Sequence, residues 1–176
     1  MAKTINDVLE AARQDTGRVQ LRLKAVDMAI LVKGVVTANQ ALAHNKDQVI
    51  KLESVKKSLV FGDQQRLSEV VDNLINNAIK YSPPGKEIHV HLKETKTAAV
   101  VEVLDFGPGL TKDDLKNLFR KFTSLSAQPT GGETSSGLGL SIVKHLVDAH
   151  RGKIEVTSKG PGKGTSFIVE IPKSES

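Results

Sequence analysis

The chain has 176 residues, with 25 Lys and Arg against 20 Asp and Glu, a formal net charge of +5 and no cysteine. Apolar residues make up 39% and charged residues 26%, which argues against a disordered chain and allows one well-cored domain. The missing cysteines exclude disulfide scaffolds, Cys-ligated zinc and thiol nucleophiles together.

Ile5, Val8, Leu9 and Ala12 fall at helical spacing, with Gly17 as a stop. Val19, Leu21 and Leu23 alternate with polar residues and predict a strand. Asp27 can cap a helix running to about Ala43, and Val49 to Leu52 and Leu59 to Phe61 read as short strands. Asp63 opens a long helix to Tyr81, which Ser82-Pro83-Pro84-Gly85 ends. Two alternating strands follow, Ile88 to Leu92 and Val100 to Leu104. Thr111-Lys112-Asp113-Asp114 has the form of a capping box, with Asp in place of Glu, before a helix to about Phe122. Thr123 to Ser136 is polar, lacks periodicity, and is long enough to suggest a functional or mobile connection. A helix over Gly139 to His150 and strands at Ile154 to Thr157 and Thr165 to Ile171 complete the chain. Strands collected under helices on one face predict an α/β two-layer sandwich.

The longest apolar runs, Met28 to Val32 and Ala98 to Val101, are far short of the roughly 20 residues that span a bilayer. The first residues lack the apolar stretch of a signal peptide, so a cytoplasmic domain without a membrane segment is expected. Aromatic residues are only 3% and the positive charges are interspersed with acids, so no nucleic-acid partner is expected.

The chemistry gathers in three places. On the long helix, Glu69, Asn73, Asn77, Lys80 and Tyr81 form one slowly drifting polar stripe. Asparagine is a poor helix former, and three of them at 73, 76 and 77 ask for a reason. A solvated face is one reading; amide oxygens for a hard cation beside an ammonium for phosphate is the other. Asp105-Phe106-Gly107-Pro108-Gly109-Leu110 follows a strand, and its glycines let backbone approach a ligand. A carboxylate there can accept from an adenine amino group, whereas guanine offers an acceptor oxygen instead. Gly137-Leu138-Gly139-Leu140-Ser141 opens a helix whose free N–H groups suit phosphate. Other phosphate motifs fail. The Walker A pattern breaks at Thr157 and Gly164, and a dinucleotide fingerprint breaks at Ile142. The Asp105-Phe106-Gly107 triplet has no His-Arg-Asp loop before it.

The order of these elements resembles the ATP-binding domain of bacterial sensor histidine kinases, in the GHKL superfamily with the Bergerat fold shared with type II topoisomerases, Hsp90 and MutL. Glu69 to Ser82 is similar to the N box, Asp105 to Leu110 to the G1 box and Leu118 to Phe122 to the F box. Gly137 to Leu140 is similar to the G2 box, and Gly162-Lys163-Gly164-Thr165 to the last glycine box. The resemblance implies a mixed sheet covered on one face by helices, with Thr123 to Ser136 as a long mobile ATP lid. It implies that Asn77 ligates Mg²⁺ bridging the phosphates of ATP, with Asn73 in support, and that Lys80 reaches a phosphate. Tyr81 would pack along the nucleotide and Asp105 would read the adenine amino group. Gly107, Gly109 and Leu110 would shape the pocket, Thr165 would assist near the base, and Phe122 joins the nucleotide-binding residues through the F box. Gly137, Leu138, Gly139 and Leu140 would hold phosphates. Thr123-Ser124 stand where relatives often carry an Arg, with Arg120 and Lys121 as the nearby basic residues.

In the hydrolytic members of that superfamily, the residue four before the metal Asn is a Glu that activates water; here it is Asn73. A neutral amide cannot act as a general base. Phosphoryl transfer to a protein acceptor is therefore expected over rapid hydrolysis, with Asn73 and Lys80 as the catalytic candidates. None of His44, His89, His91, His145 and His150 has the adjacent acid or Thr-Pro context of a phosphoacceptor. The acceptor is expected on a separate dimerisation domain, with a response regulator as an indirect partner and no self-phosphorylation. Residues 1–25 are expected to be the remnant of a dimerisation helix and linker strand, 26–172 the kinase domain and 173–176 a tail. The chain then reads as a fragment or a naturally reduced kinase. A nucleotide-dependent binding module and an anti-sigma-type serine kinase are the alternatives.

Overall fold

Apolar residues at helical spacing decide how the three long helices lie in this computed structural model, which describes residues 20–54, 57–123, 126–132 and 137–173. The described elements run β1 (Lys24–Asp27), α1 (Met28–His44), β2 (Val49–Ser54), β3 (Leu59–Gly62), α2 (Gln64–Tyr81), β4 (Glu87–Glu94), β5 (Ala98–Asp105), α3 (Lys112–Asn117), α4 (Gly139–Ala149), β6 (Lys153–Thr157) and β7 (Thr165–Pro172). Leu67, Val70, Val71, Leu74, Ile75 and Ala78 make the buried stripe of α2; Leu31, Val32 and Val36 do so on α1, and Ile142, Val143, Leu146 and Val147 on α4.

These stripes rest on one face of a five-stranded sheet of order β2-β4-β5-β7-β6. Only the β2–β4 pairing is parallel, so the sheet is mixed. Period-two alternation sends Ile88, Val90 and Leu92, then Ala99, Val101 and Val103, then Phe167, Val169 and Ile171 into the layer beneath the helices. The opposite face is polar: His91 lies between Glu53 (4.0 Å) and Glu102 (3.4 Å), and His89 reaches Glu87 at 3.1 Å. The protein is thus the expected two-layer α/β sandwich with helices on one face.

Two boundaries differ from the sequence reading. The strand expected over Val19 to Leu23 is not formed by residues 20–23; β1 starts at Lys24, paired with Gly62 in an antiparallel ribbon with β3. The Arg22 N–H is spent on the Asp63 carboxylate instead (2.9 Å), because Asp63 has left β3 to cap α2. The helix expected to reach Phe122 ends at Asn117. Asn117 turns its side-chain amide back to the Asp113 carbonyl (3.0 Å), the Arg120 N–H bonds Asn117 at the tighter i−3 spacing, and Phe122 has φ +56°. The helix expected between Ile5 and Gly17 lies outside the described residues.

Candidate functional site

The sheet ends at β5 and β7, the facing end of α2 and the start of α4 border a solvent-open cleft of about 340 Å³, the open mouth included. Asn77 and Tyr81 line it from α2, Asp105, Gly109 and Leu110 from the end of β5, Leu140 from α4 and Thr165 from β7. The structure brings these seven expected residues together from four separate stretches of chain.

Capping at both ends places α2. The Asp63 carboxylate accepts from the N–H groups of Gln65 (3.0 Å) and Arg66 (3.2 Å). Burial opposes its ionisation, but these bonds and that from Arg22 outweigh it and hold the carboxyl below its usual range. At the other end Ser82-Pro83 stops the helix. Its last carbonyls are taken up by Lys46, whose ammonium donates to Ile79 (2.9 Å) and Lys80 (3.2 Å), and by the Gln48 amide, which donates to Ile79 (3.1 Å) and Ser82 (2.7 Å).

The three asparagines of α2 have three fates. Asn76 points at α1: its amide donates to the Asp72 carbonyl (2.8 Å) and to Asn39 (3.2 Å), a structural link between helices. Asn73 is buried and donates to the Glu69 carbonyl (3.0 Å); its amide oxygen faces Gly139, where a Cβ would lie only 3.4 Å away. Asn77 lines the cleft, and its side-chain amide makes no hydrogen bond to a described residue. Glu69 is held by Arg66 at 2.9 Å, and the Lys80 ammonium lies 5.8 Å from the centroid of the Tyr81 ring.

Asp105 ends β5 at 4% exposure. The N–H groups of Gly107 (2.8 Å) and Thr165 (3.2 Å) both donate to its Oδ1, and no described residue bonds Oδ2. Burial pushes this carboxyl up to about 6 even though the two N–H donors favour the charged form. An acid buried at such a cost, with one oxygen unengaged, is a group prepared for a donor. Gly107 stands behind this wall, and a Cβ there would come within 2.7 Å of the Tyr81 carbonyl.

The first turn of α4 carries no side-chain cap, so the N–H groups following Leu138 are left for another acceptor. Leu138 is fully buried and anchors this turn, and Gly137 takes φ +66° against the carbonyl of Thr123. Gly137, Leu138 and Gly139 therefore shape the approach to the cleft without lining it.

The connection expected to be a lid has no helix or strand among its described residues, and two anchors hold it. Ser126 donates both N–H (2.9 Å) and hydroxyl to Asp114, the residue that also closes the capping box with Thr111. Burial opposes ionisation of Asp114, and the bonds from Ser126 and Thr111 overcome it, leaving the carboxyl well below its usual range. Thr130 donates its N–H to the Lys80 carbonyl (3.1 Å) and its hydroxyl to that of Ser82 (2.7 Å), and accepts from Lys46 (2.9 Å). Between the anchors, Ala127 lines the cleft. Residues 124–125 and 133–136 of this connection lie outside the described residues.

Phe122, expected among the binding residues, is 69% exposed and does not line the cleft; Leu118, four residues earlier, does. Pro108, Ala127 and Phe167 also line it without having been singled out. Phe167 was within reach, since it shares a strand face with Thr165 two residues before it. The stretch containing Ala127 was expected to cover the cleft, but nothing in it singles out Ala127 itself.

Residues 62–175 match the family described as "Histidine kinase-, DNA gyrase B-, and HSP90-like ATPase". The sensor protein SrrB of Staphylococcus aureus is 31% identical over 173 residues, covering 98% of this chain and 30% of SrrB. The chain thus spans less than a third of that relative's length. Among solved structures, full-length ShkA in complex with AMPPNP superposes with a TM-score of 0.84 at 28% identity, over 98% of this chain and 35% of ShkA. The mycobacterial sensor histidine kinase MprB gives a TM-score of 0.74 at 27% identity, over 85% of this chain and 97% of that one.

Proposed function

Because the chain belongs to the family of histidine kinase-, DNA gyrase B- and HSP90-like ATPases, we propose that its cleft binds Mg-ATP and serves transfer of the γ-phosphoryl group to a histidine on a dimerisation domain. It is an ATP-binding domain related to sensor histidine kinases. The observation that carries the finer reading is the pairing, across one cleft, of a buried carboxylate with an unbonded oxygen and a helix start with uncapped N–H groups. The first suits an amino-bearing base and the second a phosphate chain. ShkA was solved with AMPPNP, which supports the same ligand class here.

Asp105 would accept from the adenine amino group, with Thr165 and Gly107 holding its other oxygen. Leu110, Leu118, Leu140 and Phe167 supply the apolar surface for a base, and Tyr81 lies along the cleft wall. The first N–H groups of α4 and the Lys80 ammonium would meet phosphates. Among the described residues no cluster of three or more His, Cys, Asp or Glu is placed to hold a metal ion. As the resemblance to the N box implies, the Asn77 amide oxygen, which lines the cleft, would hold magnesium, and the ion when bound would neutralise charge on the transferring group.

Asn73 stands where a hydrolytic site needs a carboxylate base, and Glu69 is committed to Arg66. Water is therefore left without an activating group from α2, which favours a protein acceptor. Three of the chain's own histidines stand away from the cleft. His150 is buried with both ring nitrogens bonded, to the Asp63 N–H (3.0 Å) and the Leu146 carbonyl (2.8 Å), and His89 and His91 sit on the open sheet face.

Incubation with γ-labelled ATP tests the reading. The chain alone should stay unlabelled, while a separate helical fragment bearing a phosphoacceptor histidine should gain acid-labile label. Strong labelling of the chain alone contradicts it, and tight nucleotide binding with no labelled acceptor favours a binding module instead. Among the described residues no helix is long and apolar enough to cross a membrane.

A further inference from the structure

The turn joining β6 to β7 backs the cleft wall, and one of its hydroxyls reaches a lining residue without entering the cleft itself. Ser158 Oγ accepts from the Leu110 N–H (3.0 Å) and the Gly160 N–H (3.3 Å), and donates to the Gly164 carbonyl (2.8 Å). A hydroxyl has one donor and two lone pairs, so both lone pairs are used and its one proton goes to Gly164 in preference to the more distant Gly160 carbonyl (3.5 Å). Leu110 lines the cleft, and Gly164 precedes Thr165, whose N–H holds Asp105 Oδ1.

The rest of this joint is backbone. The Gly162 N–H donates to the Pro108 carbonyl (2.6 Å) and the Gly164 N–H to that of Gly107 (3.2 Å). A Cβ at Gly109 would come within 2.2 Å of the Gly160 carbonyl oxygen, and one at Gly164 within 2.2 Å of the Asp105 carbonyl oxygen. Both glycines have φ +71°, so the two loops meet as closely as backbone allows. Besides the Asp105 carboxylate, Ser158 is the described side chain that crosses between them.

We propose that Ser158 is a positioning residue for base selection: it fixes the glycine loop of β7 against the loop after β5, so that Thr165 keeps one oxygen of Asp105 occupied and the other remains aimed at the base. The inference rests on the nucleotide reading given above and extends it to a residue outside the cleft. Without the hydroxyl, the Leu110 N–H and the Gly164 carbonyl lose their partner and the joint is left to its backbone bonds alone. The Asp105 carboxylate then keeps the Gly107 donor but is held less closely by the Thr165 N–H, and its second oxygen is less strictly aimed. The phosphate side, made by α4 and Asn77, lies across the cleft and keeps its contacts.

The test compares binding of ATP with that of inosine triphosphate, which replaces the amino group with an oxygen, for the unsubstituted chain, Ser158→Ala and Ser158→Thr. The unsubstituted chain should prefer ATP. Ser158→Ala should narrow that preference by roughly fivefold, about the net effect of one hydrogen bond, while its remaining affinity still depends on magnesium. Ser158→Thr, which keeps the hydroxyl, should restore the preference. Should the alanine variant not fold, Ser158→Cys, with similar volume and weaker hydrogen bonds, must show the narrowed ratio. A folded Ser158→Ala with the unsubstituted ratio, or a Ser158→Thr no better than alanine, overturns the role of Ser158 alone. If the unsubstituted chain binds neither nucleotide, the nucleotide reading falls and this role with it.

Discussion

Asp105 concentrates the energetics of the site in one carboxyl group. Its folded value of about 6 lies above the 3.8 of an unperturbed aspartate, so the native state holds the proton more tightly than the unfolded chain does. Its contribution to stability is therefore complete below about pH 4 and lost as pH rises through 6. Above that, the ionised group weighs against folding by up to roughly 3 kcal/mol. Asp105→Asn keeps an oxygen for the Gly107 and Thr165 N–H groups and removes the charge. Denaturant unfolding from pH 4 to 8 should show the variant gaining on the unsubstituted chain as pH rises, then holding a constant lead. The same variant turns a donor toward the base, so its preference for ATP over GTP should drop by about tenfold, on the order of 1–3 kcal/mol for a buried polar partner lost. Parallel stability profiles, or GTP competing equally against the unsubstituted chain, would remove Asp105 from the role given to it.

At the scale of elements, the lid and the end of α2 work as one unit. Lys46 and Gln48, from the turn after α1, saturate the last carbonyls of α2, and Thr130 adds the lid to the same knot. Ser126 on Asp114 makes the second anchor, and Ala127 roofs the cleft between them. We propose that a strap pinned at these two points would retain a nucleotide beneath it. Thr130→Val loses the hydroxyl bonds to Ser82 and Lys46 but keeps the backbone bond to Lys80. Stopped-flow measurement should find ATP release faster by roughly fivefold with association little changed, since most single contacts act on dissociation. An unchanged release rate would show that this anchor does not hold the lid over the ligand.

Across the whole molecule, what was legible in the sequence is what local periodicity controls. The period of two in β4, β5 and β7 and the apolar stripes of α1, α2 and α4 define the two layers without reference to distant residues. That Asn77, Asp105 and Leu140 converge on one cleft was legible for a related reason, since each belongs to a short pattern tied to one end of one element. The β1–β3 ribbon was not, because it depends on Asp63 drawing in the Arg22 N–H across 41 residues of sequence. The early end of α3 turns on a side chain competing with the backbone at Asn117, and Ala127 reaches the cleft only through anchors at Ser126 and Thr130. Non-local hydrogen bonds decided the first and the last of these, and a local side-chain bond the second. The division of the chain into a leading segment of residues 1–25 and a nucleotide-binding unit of 26–172 remains our proposal.

The arrangement as a whole stands on an amide, a carboxylate and a helix start acting on one ligand. Titration of a fluorescent adenine nucleotide, with and without Mg²⁺, measures this most directly, with Asn77→Ala as the comparison. Saturable binding that magnesium strengthens, that ATP displaces and GTP does not, and that the substitution weakens about tenfold or more only when magnesium is present is the result the account predicts. No saturable binding, or binding indifferent to both magnesium and Asn77, would contradict it.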